Sequence, residues 1–140
     1  MPNRRSGYSP LPELSEEEQG AFDAVQAVFL AFKAYRDTMP LQYAITFMEI
    51  ARNEGKMVQD YSQALGVSQS VMSRHLQDLG DLSRSYEEGF GLIQTSVDPL
   101  NRRAYRVTLT DKGRAFARQI YATMRKVVRD VVREKEENGA

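Results

Sequence analysis

Tyr61-Ser62-Gln63-Ala64-Leu65-Gly66-Val67-Ser68-Gln69-Ser70-Val71-Met72-Ser73-Arg74-His75-Leu76-Gln77-Asp78-Leu79 is the stretch whose reading decides the fold. Two short helices can cross steeply only at a tight joint. Gly66 offers a backbone position open to positive φ, Val67 plugs the joint, and Ser68 caps the second helix. Met72, Leu76 and Leu79 fall on one side of that helix, towards a core. Ser70, Ser73, Arg74 and Gln77 fall on the other side, at i, i+3, i+4 and i+7. Serine, arginine and glutamine carry donors and acceptors for base edges and phosphates, with no carboxylate that phosphates would repel. The pattern predicts a helix-turn-helix over 57–79 that contacts double-stranded DNA through Ser68, Gln69, Ser70, Ser73, Arg74 and Gln77. Lone His75, beside Leu76, reads as a packed or phosphate-facing residue rather than a ligand.

Outward from this core the chain keeps a helical rhythm. Ser15 with Glu18 three residues on makes a capping box, and Glu16–Glu18 suit the positive end of a helix dipole. Phe22, Val25, Phe29, Phe32 and Tyr35 then recur at helical spacing, predicting a first helix to about Arg36. Pro40 is expected as the first residue of a second helix, with Leu41, Ala44, Ile45, Met48 and Ile50 inward. Downstream of the helix-turn-helix, residues 80–90 show neither period and read as a loop. Leu92–Val97 and Ala104–Leu109 are short candidate strands joined by Asp98-Pro99-Leu100-Asn101, with Tyr105, Val107 and Leu109 expected on one face. Thr110 caps a last helix whose stripe is Phe116, Ile120, Met124, Val127 and Val131. Residues 1–14, with Pro2, Pro10 and Pro12, read as an extended arm, leaving 15–140 as one domain. The fold class is therefore mainly α with a small β-hairpin (α+β): a winged helix-turn-helix with a wing over 91–109.

That hairpin carries Arg102 and Arg103 at its tip and Arg106 on its returning strand. An arginine on a thin ribbon can enter a minor groove, although a charged tip would serve solubility equally well. Arg103 is expected in the minor groove, with Arg102 and Arg106 nearer phosphates. Here the sequence resembles the MarR family of winged-helix regulators, over roughly residues 41–118. The matching residues are Leu65-Gly66-Val67-Ser68 with Ser73-Arg74, Asp98-Pro99 through Arg102-Arg103, and Leu109-Thr110-Asp111-Lys112-Gly113. Asn101 stands where the family has a wing aspartate, residues 83–90 resemble an insertion, and one C-terminal helix replaces the usual two. The segment from Ser68 to Leu76 is also similar to ArsR-type recognition helices. The resemblance implies a transcription regulator, expected to act as a repressor and homodimer on an inverted repeat, in a bacterial cytoplasm at the nucleoid. A protein-interaction module, or a replication or partition protein, stays open as the alternative.

Dimerisation also has a compositional motive. Phe22, Val25, Phe29 and Phe32, with Phe116, Ile120, Met124, Val127 and Val128, give the terminal helices more apolar surface than 140 residues easily cover. They are expected to form the interface, the last helix contributing over 110–134. The whole chain has a formal net charge of zero, but from 13 to 60 acidic side chains outnumber basic ones nine to four. From 70 to 126 ten basic side chains face six acidic ones, so a neutral total can hide a basic face. There is no cysteine and one histidine, which excludes disulfides, thiolate metal sites and a histidine cluster. No nucleophile–base pair or phosphate-binding glycine loop can be assembled, so neither an enzyme nor a cofactor is expected. A small-molecule effector is left open. The first residues carry Arg4 and Arg5 without an apolar run, which does not read as a signal peptide, and no membrane contact is expected.

Overall fold

The computed structural model describes residues 13–81 and 88–139. Most of the predicted arm, residues 1–12, and the middle of the predicted 80–90 loop lie outside them, as does the side chain of Val131. The element order is α1 (Glu16–Tyr35), α2 (Leu41–Arg52), α3 (Val58–Leu65), α4 (Gln69–Leu79), β1 (Ile93–Asp98), β2 (Asn101–Leu109) and α5 (Asp111–Asn138). Local chemistry explains most boundaries. At α1 the Glu18 N–H donates to Ser15 Oγ (3.1 Å) while the Ser15 N–H donates to Glu18 Oε1 (3.3 Å), the expected reciprocal cap. Pro40 caps α2 from outside the helix rather than opening it, and its carbonyl accepts from the Tyr43 and Ala44 N–H groups. α5 runs four residues beyond the expected end at 134, as a single helix of 28 residues.

The core is aromatic at its centre. Phe116 of α5 stacks on Phe47 (5.5 Å between centroids) and on Tyr35 (4.8 Å), and meets Phe32 edge-on at 5.2 Å. Such pairs contribute about 0.5–1.5 kcal/mol each beyond the area they bury. Ile50, Met72, Leu79, Leu92 and Val107 complete the interior, so α2, the inner side of α4 and the root of the ribbon share one core. Phe32, Phe116 and Ile120 are 3%, 4% and 6% exposed. This corrects their assignment to a dimer interface: they face the interior of a single chain. By contrast Phe22, Val25, Phe29, Met124 and Val128 stand exposed, and Val127 is half-buried. α1 and α5 are antiparallel, with Lys135 Nζ 3.6 Å from Glu17 Oε1 at the far end of the pair.

β1 and β2 pair antiparallel from Ile93↔Leu109 to Val97↔Tyr105. The register then shifts, and Asp98 pairs with Asn101. Arg102, Arg103 and Ala104 fall in the residues looped out by that shift. The turn after α2 adds an edge to β2: the Gly55 N–H donates to the Val107 carbonyl (2.8 Å), and the Val107 N–H donates to the Lys56 carbonyl (2.9 Å). Gly55 has φ +86°, a conformation that costs L side chains free energy, which is why glycine suits this corner.

Candidate nucleic-acid interface

The joint between α3 and α4 is built as the residues demand. Gly66 adopts φ +66°, and the Val67 N–H reaches back 3.0 Å to the Ser62 carbonyl, ending α3. Ser68 Oγ accepts from the Val71 N–H at 3.2 Å and starts α4. Val67 turns inward onto the core. Met72, Leu76, Asp78 and Leu79 are buried, and Gln69, Ser70, Ser73, Arg74 and Gln77 are all exposed. No carboxylate is exposed on this helix. Ser68 also lies within 3.1 Å of the Ser70 hydroxyl, so part of its polarity is spent locally.

His75 sits between the two faces, half-buried. Its ring meets Tyr43 edge-on at 5.0 Å, and Nδ1 lies 3.3 Å from Thr46 Oγ1 on α2. Tyr43 donates its phenol proton to Asp78 Oδ2. These contacts seat the inner side of α4 against α2. They account for a histidine and an aspartate within an otherwise apolar seam.

The ribbon stands beside α4. Between them lies a cavity of about 690 Å³, bordered by Ser73 and Gln77 on one side and Gln94, Thr95 and Tyr105 on the other. The Arg102 and Arg103 side chains are exposed and make no hydrogen bond or ion pair with any described residue. Asn101 Oδ1 accepts from the Arg103 N–H at 3.1 Å, so the amide shapes the backbone of the tip.

Arg106, expected near phosphates, is engaged by groups of its own chain. Its Nε donates to Asp98 Oδ2 (2.9 Å), Nη2 lies 2.8 Å from the same oxygen, and Nη1 donates to the Gly55 carbonyl (2.7 Å). The guanidinium, though still about half exposed, thereby ties the wing to the corner after α2. Asp98 is buried, and its carboxyl is held below the ordinary range, first by the Leu100 N–H and then by Arg106. A second clamp lies at the wing root. Glu54 Oε1 accepts from the Leu109 N–H (2.8 Å) and from Arg114 Nη2 (2.6 Å). Burial pushes the Glu54 carboxyl up, but these two partners outweigh it and leave the pKa lowered.

The sequence reading missed Glu54, Asp98 and Arg114 as wing supports. One signal was present for Asp98: it lies two residues from Ser96, the partner of Arg106, and so on the same face of the ribbon. For Glu54, 55 residues from Leu109, spacing offers none. Arg36 was missed too: its guanidinium donates to the Glu88 and Gly89 carbonyls and lies 4.5 Å over the Phe90 ring. With Tyr35, whose phenol donates to the Phe90 carbonyl at 2.6 Å, it fastens the segment entering the wing onto α1.

No protein-family model matches the chain, and no curated protein matches it by sequence. Solved structures do match. The S. aureus MepR–DNA complex superposes with a TM-score of 0.68 at 17% identity, over 85% of this chain and 84% of MepR. A MarR-like transcriptional regulator from Thermotoga maritima gives 0.60 at 20% identity, over 86% and 83% of the two chains. Streptococcus pneumoniae FabT in complex with DNA gives 0.60 at 19% identity, over 81% and 76%. Among the described residues, five helices, the capped joint before α4 and the antiparallel ribbon before α5 thus form the winged-helix fold of the MarR-type regulators.

Proposed function

We propose that the protein is a sequence-specific transcription regulator, a repressor, that binds double-stranded DNA as a homodimer. The observation that carries this reading is the outer face of α4. Ser70, Ser73, Arg74 and Gln77 are exposed together with no carboxylate among them, beside a ribbon presenting Arg102 and Arg103. In this reading α4 lies in the major groove with Gln69 at its leading edge, and Arg103 enters the adjacent minor groove. That MepR and FabT were each solved with DNA supports the same orientation of the fold.

The dimer is argued from exposed apolar surface. Phe22, Val25 and Phe29 on α1, and Tyr121, Met124, Val128 and Val132 on α5, flank the seam between the two helices. A second copy would cover them and place two recognition helices on one DNA face, about 10 bp apart on an inverted repeat. The protein then works at the nucleoid in a bacterial cytoplasm, and no helix of the described residues is long and apolar enough to cross a membrane. It acts by binding, not by catalysis.

Selection of bound duplexes from a random pool tests the proposal: an inverted repeat should emerge. Arg74→Ala should then cost about 1–3 kcal/mol and relax the preference at one position per half-site. Unselected pools, or unchanged affinity and preference in that variant, would remove α4 from the reading role.

A further inference from the structure

Away from the recognition helix and the wing, a basic stripe runs along α5. Arg118, Arg125, Lys126, Arg129 and Arg133 are exposed and line one face of that helix. At 3.6 residues per turn, the four arginines lie within about a quarter of the helix circumference. From Arg118 to Arg133 the stripe extends about 22 Å, at 1.5 Å rise per residue. None of the five makes a hydrogen bond or ion pair with a described residue. Asp130 is the one carboxylate among the residues lining the face.

We propose that this face binds the sugar–phosphate backbone of a second DNA segment, so that the protein grips DNA on two sides. Guanidinium groups match phosphate oxygens bidentately, and four of the five cations are arginines. The lining holds no amide and no hydroxyl besides the Tyr121 phenol, so it has almost nothing with which to read base edges. Binding here is electrostatic and indifferent to sequence. Position separates the stripe from the recognition face. α5 starts at the wing root and runs back along α1, so Arg125 to Arg133 lie about four to six turns from the wing.

A second copy of the chain is the competing occupant, and desolvation argues against it. The apolar Met124, Val128 and Val132 beside the stripe, with Tyr121 at the border between the two, are what a partner protomer would cover. Burying five cations that no described residue pairs would cost more than their contacts return. Glu17, one carboxylate of the acidic α1 turn, is already engaged by Lys135 of its own chain. The stripe therefore stays at the rim, open to a polyanion.

Bridging of two duplexes tests this inference without a known operator. Protein is added to an immobilised random-sequence duplex, and capture of a second, labelled duplex is read at low and moderate salt. Arg125→Glu/Arg129→Glu should reduce capture about tenfold and flatten its salt slope by about 2, while affinity for a single duplex changes less than about twofold. Arg118→Gln/Arg133→Gln, a milder pair that guards against misfolding, should reduce capture in the same direction. Capture unchanged in both pairs would overturn the inference. So would capture lost together with the dimer in sedimentation, which would assign the stripe to the second copy. Arg74→Ala/Arg103→Ala keeps the two readings apart: it should weaken single-duplex affinity through α4 and the wing and leave the stripe intact.

Discussion

Arg106 joins three parts of the molecule through one guanidinium: β2, the Asp98 carboxylate at the wing tip and the Gly55 carbonyl after α2. Arg106→Ala should lower stability by about 1 kcal/mol, since hydrogen bonds to charged groups are the stronger kind but this side chain is partly exposed. It should weaken DNA binding equally on all sequences without changing the salt slope, because no phosphate contact is lost. Arg106→Lys should not restore it, because one ammonium cannot reach both partners. A slope shallower by about 1 would return Arg106 to the phosphates. Asp98 gives this clamp a pH signature. Its folded pKa lies below that of an unfolded aspartate, so its contribution is present above the unfolded value and is lost as pH falls through the folded one. Urea unfolding of Asp98→Asn should therefore show a shallower loss of stability below about pH 4 than the parent chain. Identical acid limbs would mean that the carboxylate is not engaged.

At the scale of elements, Gly113 is the tightest joint. A Cβ there would stand 1.9 Å from the Leu92 carbonyl oxygen, which enters the first turn of α5 from the root of the wing. Glycine to alanine within a helix ordinarily stabilises, by up to about 1 kcal/mol. Gly113→Ala should do the reverse, lowering the melting temperature through an overpacking cost of about 1–3 kcal/mol. A higher melting temperature would show that the wing root yields easily. The helix-turn-helix was legible because all its determinants are local: a glycine at the joint, a cap and a helical period fix it within 19 residues. The ribbon was legible in kind but not in detail. Alternation put Tyr105 on the same face as Val107 and Leu109, yet Tyr105 is 54% exposed because the core ends at the ribbon's root. In α1 a broad apolar stripe hid the division between inside and outside. Val28 and Phe32 turn inward, while Phe22, Val25 and Phe29 do not. Periodicity gives the direction of a stripe; which part of it meets neighbouring elements depends on α5, more than 70 residues away.

For the whole molecule, the dimer proposal predicts that Phe29→Glu or Met124→Glu leaves each protomer folded, because both side chains stand about half exposed in the single chain. Sedimentation should show a monomer for either variant, with DNA affinity falling together with assembly by about 2 kcal/mol or more. A monomeric parent chain at micromolar concentration would sink the proposal, whatever the variants do. The same exposed stripes on α1 and α5 have a consequence for the cell's accounting of copies. Where most chains are single, the population of pairs rises as the square of synthesis. While most sites are also empty, doubling the transcript would then quadruple the occupied sites, and halving it would empty three quarters of them. Gene dosage and chain turnover would throw the switch by themselves, with no inducer.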